Sequence, residues 1–327
     1  MNIPYLDVKF LDLHTLGLML IVLAALGLIS IASWLLRSRS EDKIDNLLLD
    51  KFRSKVNGWW LLFAFVAAAA VLGQGVVVFL FGAMSFWAMR EFVTLTPTRQ
   101  ADHRALFLLF FFCIPLQYVF VWLRMYAVYS VLIPAYIFLF IPMIIAAFGD
   151  TKFYLTRITQ ISVSLLICVY SLSFAPALIT LELPEGVSGS NVSLLCFFLL
   201  MTQISEIFPI LCNYLLPSQH GIAPDINTSK TWEGFLASLL GTSFVGTLLY
   251  WATPFPFWVA GGIACATAFM AFGGTLTLSA IKRDRGVQDY GTLVLGHGGI
   301  LDRIDSICFA APVFYHLTLI YLHYGMR

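Results

Sequence analysis

The chain has 327 residues, 60% of them hydrophobic, with 19 Lys and Arg against 18 Asp and Glu for a formal net charge of +1, and its mean hydropathy is +0.87. A water-soluble domain of this length does not combine so few charges with recurring apolar runs of about 20 residues, so the chain reads as a polytopic membrane protein. Its basic residues are divided among short loops and never form a long patch, which argues against nucleic acid as a partner.

The first apolar run, "LGLMLIVLAALGLISIASWLL" from Leu16 to Leu36, rises about 31 Å as a helix, enough to cross the hydrocarbon core. It lacks the preceding basic region and the small-residue cleavage site of a signal peptide and is expected to be a retained span. A basic loop, 37–57, follows. The stretch 58–89 is either one long helix or two short ones broken at "LGQG". Further spans are expected at about 105–123, 126–148, 158–180, 191–216, 234–252, 257–281 and 307–324.

Lys and Arg distribution decides how 58–89 is read, because basic loops are retained on the cytoplasmic side. A hairpin there puts 16 basic residues on one side and leaves only Lys9, Arg124 and Arg327 opposite. A single helix splits them 8 to 11, with no bias. The hairpin is therefore expected, giving an all-α fold of about ten membrane segments, some too short to cross alone. The loops at 217–233 and 282–306 then face the cytoplasm, and "LPEGVSGSN" lies outside.

The six cysteines, Cys113, Cys168, Cys196, Cys212, Cys265 and Cys308, are scattered through apolar stretches without paired spacing and read as packed thiols. Polar chemistry concentrates instead in the last third. Residues 282–305 hold Lys282, Arg283, Asp284, Arg285, Asp289, Asp302, Arg303 and Asp305. So many charges cannot lie in lipid, at ~2.5–3.5 kcal/mol each for a helix centre.

Within that stretch Gly296, Gly298 and Gly299 allow backbone N–H groups to converge on an anion, and Lys282, Arg283, His297 and Arg303 add donors suited to phosphate oxygens. Asp302 and Asp305 are three apart and share a face if "LDRID" opens the last helix. Two such carboxylates suit Mg²⁺ bridged to a nucleotide's phosphates. A solvated, glycine-rich loop would account for the same composition.

The stretch "SAIKRDRGVQDYGTLVLGHGGILDRIDS", Ser279 to Ser306, resembles the signature of the phosphatidate cytidylyltransferase family. Ser279, Lys282, Arg283, Asp289, Gly291, Gly296, His297, Gly298, Gly299, Asp302, Arg303 and Asp305 stand at the family's spacing. "SKTWEGF" (Ser229 to Phe235) and "SFWAMREF" (Ser85 to Phe92) are similar to two further family segments. The resemblance implies transfer of CMP from CTP to phosphatidic acid, with pyrophosphate released, Mg²⁺ as cofactor, a homodimer in the bilayer, and a bacterial inner membrane with the site facing the cytoplasm. It also implies a division into N-terminal membrane segments over 1–104 and a membrane-embedded catalytic region over 105–327. Catalytic roles are expected for Asp302, Lys282, Arg283, His297 and Arg303. Substrate binding is expected from Lys230, Thr231, Ser279, Gly296, Gly298, Gly299 and Asp289, and metal binding from Asp302, Asp305 and Glu206.

The chain departs from the family at four positions. Thr275 stands where members carry the aspartate of "GD", Glu206 of "SEIFPI" where they carry an earlier aspartate, Gln288 for a lysine and Leu295 for a proline. Thr275 brings no negative charge. Glu206 is the acid deepest within an expected span, which marks it either as functional or as a protonated helix–helix hydrogen-bonding group. His316 and His323, seven apart on the last helix, read as interfacial or packed, and His14, His103 and His220 lie near span ends or in loops. Two other readings stay open: a divergent paralogue with lost or altered nucleotidyl transfer, and a transporter or scaffold with a phosphate-recognising loop.

Overall fold

The computed structural model describes residues 13–39, 73–147, 150–184, 190–216, 220–287, 289–291 and 299–325, together with Val56, Gly58, Trp60, Phe63, Ala64 and Ala67. These residues are helical apart from their connections, and the one β-type pairing among them is an isolated bridge between Gly221 and Thr231. The helices are α1 (Leu13–Arg39), α2 (Gln74–Thr94), α3 (Asp102–Trp122), α4 (Tyr126–Ala147), α5 (Tyr154–Thr180), α6 (Asn191–Leu215), α7 (Trp232–Leu248), α8 (Phe257–Asp284) and α9 (Leu301–Gly325). Seven of them, α2 to α6 with α8 and α9, are long and apolar enough to cross a membrane. At 17 residues α7 rises only about 25 Å.

The stretch 58–89 is interrupted at Gly73, whose φ of 89° belongs to no helix and precedes the first turn of α2. The interruption falls at the expected "LGQG". Helix starts follow local chemistry. The Ser190 hydroxyl accepts the N–H of Ser193 at the head of α6, and the Thr231 hydroxyl accepts that of Gly234 at the head of α7. Pro115 and Pro134, which have no N–H to give, fall next to and within π-helical turns of α3 and α4.

Lipid tails are as apolar as leucine, so helix association in a bilayer depends on close packing and on polar contacts rather than on burial from water. The most enclosed helix is α5, and Phe174 on it packs against Tyr129, Tyr170, Tyr315 and His316. Buried Gln117 of α3 donates to the Tyr129 carbonyl and the Ser173 hydroxyl, both at 3.0 Å, and the Tyr129 hydroxyl donates to that of Tyr315 at 2.8 Å. His316 is a packed residue, as expected, bonded to the Tyr126 hydroxyl at 3.1 Å and the Pro312 carbonyl at 2.6 Å.

Two expected loops are shorter than their charge suggested. The helix α8 continues through Lys282 and Arg283 to Asp284, α9 begins at Leu301, six residues before the expected start, and α7 already includes Trp232 and Glu233. The cause lies in pairing: Lys282 and Asp302 neutralise each other across the α8–α9 junction, so both helices extend beyond their apolar lengths. Helix α9 crosses α8 at Gly274. A methyl added there would stand 2.7 Å from the Asp305 carbonyl oxygen and 2.9 Å from Phe309 Cβ. Gly274→Val is therefore expected to force the two helices apart and to cost about 1–3 kcal/mol, read as a lower thermal midpoint in detergent.

A second polar anchor joins α3 and α5. Arg157 is 3% exposed and Asp102 fully buried, their charged atoms 3.6 Å apart. Arg157 also reaches the Asp150 carboxylate at 3.0 Å and the Asp150 carbonyl at 2.8 Å, and Arg99 reaches the same carboxylate at 2.6 Å. Burial alone would raise the Asp150 carboxyl, but the Lys152 N–H and the Arg99 and Arg157 charges outweigh it and hold the group below its ordinary range. A depressed carboxyl contributes stability above its unfolded value of about 3.9 and loses that contribution as pH falls through the lower folded value. Thermal midpoints followed downward from pH 5 should show an acid-side loss in the wild type that Asp150→Asn lacks.

Candidate active site at the junction of α8 and α9

The C-terminal half of α8 presents two neighbouring stripes of side chains at helical spacing. Thr275, Ser279 and Arg283, four apart, meet the 220–231 connection, while Leu278 and Lys282 meet Tyr290 and Asp302. One helix thereby joins the two polar segments singled out in the sequence.

On the first stripe, the Lys230 ammonium donates to the Thr275 hydroxyl at 2.6 Å and lies 4.6 Å from the centre of the Phe272 ring. Ser279 donates to the Thr275 carbonyl at 2.7 Å and accepts from the Asn227 amide at 3.3 Å, and Arg283 donates to the Ile226 carbonyl at 3.2 Å. The 220–231 connection is a compact turn closed by Ile222 N–H to the Lys230 carbonyl and Trp232 N–H to the His220 carbonyl. Asn213 of α6 fixes its far side, donating to the Ser229 carbonyl and accepting from the Thr231 hydroxyl at 2.7 Å.

On the second stripe, Lys282 donates to Asp302 Oδ1 at 2.8 Å, and Asp302 Oδ2 accepts the N–H groups of Tyr290 at 2.9 Å and Gly299 at 3.1 Å. Asp302 thus satisfies an orphan donor at the head of its own helix and balances a cation on the neighbouring one. The Tyr290 ring stacks on Phe92, and its hydroxyl donates to the Leu278 carbonyl at 2.9 Å. Burial, reinforced by the Asp302 charge, pushes this phenol well above its usual range, so it remains a donor.

A third carboxylate completes the junction. Glu91 of α2, 5% exposed, accepts the N–H of Ile300 at 3.0 Å and that of Leu301 at 2.9 Å, one on each oxygen. Gly291 and Gly299 press against it. A methyl on Gly291 would stand 2.8 Å from Oε1, and one on Gly299 would stand 2.8 Å from Cδ.

The profile of the cytidylyltransferase family matches residues 53–321, which takes in both stripes and Glu91. The chain belongs to the cytidylyltransferase family. It is 29% identical over 269 residues to the uncharacterized protein YnbB of Escherichia coli K12, covering 80% of this chain and 85% of YnbB. It is 42% identical over 100 residues to the phosphatidate cytidylyltransferase of Synechocystis, and 33% identical over 109 residues to that of Rickettsia bellii. Those matches take in 30% and 31% of this chain, and 34% and 47% of the two relatives.

In this cytidylyltransferase-family chain, Lys230, Thr231, Ser279, Lys282, Arg283, Gly299 and Asp302 converge on the end of α8 and the adjoining turns. Asp305 sits one turn along α9, half-buried, its Oδ1 accepting the Ser306 N–H at 2.7 Å and its carbonyl against Gly274, the neighbour of Thr275. The Arg303 guanidinium lies against Gly58. Asp289 is exposed beside Tyr290. Glu206 is half-buried on α6 between Ser205, whose carbonyl accepts from Ser238, and Ile207, which packs with Leu26 and Val56. Gly296, His297 and Gly298, with Gln288 and Leu295, lie outside the described residues.

Sequence reasoning did not assign roles to Glu91, Tyr290, Asn213 or Asn227. Glu91 and Tyr290 fall inside segments quoted for the family resemblance, and the two asparagines carry no spacing signal. Asp302→Ala is expected to leave the Tyr290 and Gly299 N–H groups without their acceptor and to cost about 1–3 kcal/mol. Asp302→Asn, which keeps an acceptor oxygen, should recover part of that loss. Thermal midpoints of the two variants in detergent check the ranking.

Proposed function

We propose that this protein transfers CMP from CTP to phosphatidic acid. A phosphate oxygen of the lipid attacks the α-phosphorus of CTP, the bond from that phosphorus to the bridging oxygen of the β-phosphate breaks, and pyrophosphate leaves with the electron pair as CDP-diacylglycerol forms. Both reactants are anionic and repel each other, so positioning and charge neutralisation supply most of the catalysis. The observation that carries the reading is the convergence of Lys230 and Lys282 on adjacent stripes of α8, with Arg283 between the two segments.

Lys230, Lys282, Arg283, His297 and Arg303 hold phosphate oxygens in this reading, and Thr231, Ser279 and Asp289 serve as polar contacts. Gly296, Gly298 and Gly299 allow close approach of the backbone. The acidic groups Asp302, Asp305 and Glu206 offer only hard carboxylate oxygens, the donor chemistry of Mg²⁺, which ordinarily takes one or two carboxylates and completes its sphere with phosphate and water oxygens. Among the described residues no group of three or more His, Cys, Asp or Glu could hold a metal ion, so Asp302, Asp305 and Glu206 do not form a ready-made ligand cluster and a bound Mg²⁺ would draw its other ligands from phosphate and water. Mg²⁺ bound there supplies charge neutralisation at the phosphates. The chain works in this reading as a homodimer in a bacterial inner membrane, with the α8–α9 junction at the cytoplasmic surface, where a lipid arrives laterally and a nucleotide from water.

A second reading rests on Thr275. Its hydroxyl receives the Lys230 ammonium but carries no charge, so a site of this form lacks one anion and has lost the ordinary reaction or acts on another lipid or nucleotide. Purified full-length protein in detergent, given CTP, phosphatidic acid and Mg²⁺, is expected to form CDP-lipid and pyrophosphate in equal amounts, with Asp302→Asn about a hundredfold slower. Product formed by Thr275→Asp alone would replace the first reading with the second. Absence of product from both proteins, with transport or partner binding intact, would overturn each of them in favour of a transporter or scaffold.

A further inference from the structure

We infer that Glu91 is a positioning residue for the nucleotide site: it fixes the head of α9, and with it Asp302 and Arg303, against the end of α8. This role rests on the cytidylyl-transfer reading above. An α-helix begins with four N–H groups that have no partner within the helix. Around the head of α9, Glu91 takes those of Ile300 and Leu301, while Asp302 takes that of Gly299. The two carboxylates therefore hold three consecutive peptide groups. Glu91 is 5% exposed, and burial of such a group is tolerated because each oxygen meets a backbone donor at the positive end of a helix.

The glycines locate the grip. A side chain at Gly299 would run into the Glu91 carboxylate and stand 2.9 Å from the Gly291 nitrogen, and one at Gly291 would stand 3.0 Å from Glu91 Cδ. Gly291 and Gly299 thus meet over a single carboxylate, so the chain leaves for 292–298 and returns at nearly the same point. The next residue after Leu301 is Asp302, which holds Lys282 at 2.8 Å. Displacing the head of α9 therefore displaces the cation proposed to hold nucleotide phosphate, although Glu91 itself makes no contact with it.

The same occupancy bears on where phosphate binds. Free helix N-termini attract phosphate through their N–H groups, but those of Ile300 and Leu301 are already used by the protein's own acid. Those two N–H groups are therefore not open to phosphate, which leaves more of the nucleotide's charge to the side-chain cations named above.

The test compares full-length wild type with Glu91→Gln and Glu91→Asp in detergent. Amide exchange over 299–305 and equilibrium binding of CTP with Mg²⁺ are the two readouts. Glu91→Gln keeps the size of the side chain but turns an N–H donor toward one of the helix donors. Exchange over 299–305 should quicken while that over 194–201 of α6 stays the same, and CTP should bind about tenfold more weakly. The affinity of phosphatidic acid, measured separately, should change less than about twofold. Glu91→Asp, whose carboxylate is one methylene short of the two N–H groups, should weaken CTP in the same direction and serves if the glutamine variant does not fold. Unchanged exchange at 299–305, or a folded variant that binds CTP as tightly as wild type, overturns the role of Glu91. Failure of wild type to bind CTP overturns the nucleotide reading instead.

Discussion

Asp302 lies where four parts of the chain meet, and its three bonds account for much of the polar architecture. Its Oδ1 holds the ammonium of Lys282 on α8, while Oδ2 holds peptide groups on either side of the 292–298 stretch. A carboxylate that accepts from a cation and two backbone donors is restricted in both position and orientation. Because α8 also carries Thr275, Ser279 and Arg283 toward the 220–231 turn, the same helix end sets the spacing of the two segments richest in phosphate-binding chemistry. Glu91 adds a restraint from α2, more than 200 residues away in the chain.

The membrane-embedded part follows a different constraint. Without water to satisfy them, polar side chains inside the helical array must find partners among themselves. Gln117, Tyr129, Ser173 and Tyr315 form one such group, and the hydroxyls of Ser85 and Tyr118 pair beside it. These contacts join α2, α3, α4, α5 and α9. They give the hydroxyls of Tyr118, Tyr129 and Tyr315 partners in the interior of the helical array, where water does not reach them.

Apolar run length carried most of the helical architecture: the spans expected at 126–148, 191–216 and 257–281 coincide closely with α4, α6 and α8. Run length failed where charge and helix overlap. Ending a span at 89 left Glu91 just outside it, yet α2 continues to Thr94 with that acid buried. A single carboxylate has no periodicity, and the peptide groups that satisfy it stand at 300 and 301. The charged signature was readable because its residues are close together in the chain. Its partners were not, since Asn213, Asn227 and Tyr290 act through contacts that only the packing of α6, α8 and α9 creates. Thr275 was conspicuous as a missing charge, and the contact with Lys230 gives that substitution a physical place.

The Asp102–Arg157 pair has a consequence for assembly. Either charge alone on a newly inserted helix would face lipid or headgroups without a counterion, at several kcal/mol. Together, with Arg157 also bound to Asp150, they neutralise each other where α3 and α5 begin. Burying the start of either helix is therefore favourable only once both are in place, which ties the stability of α3 to that of α5.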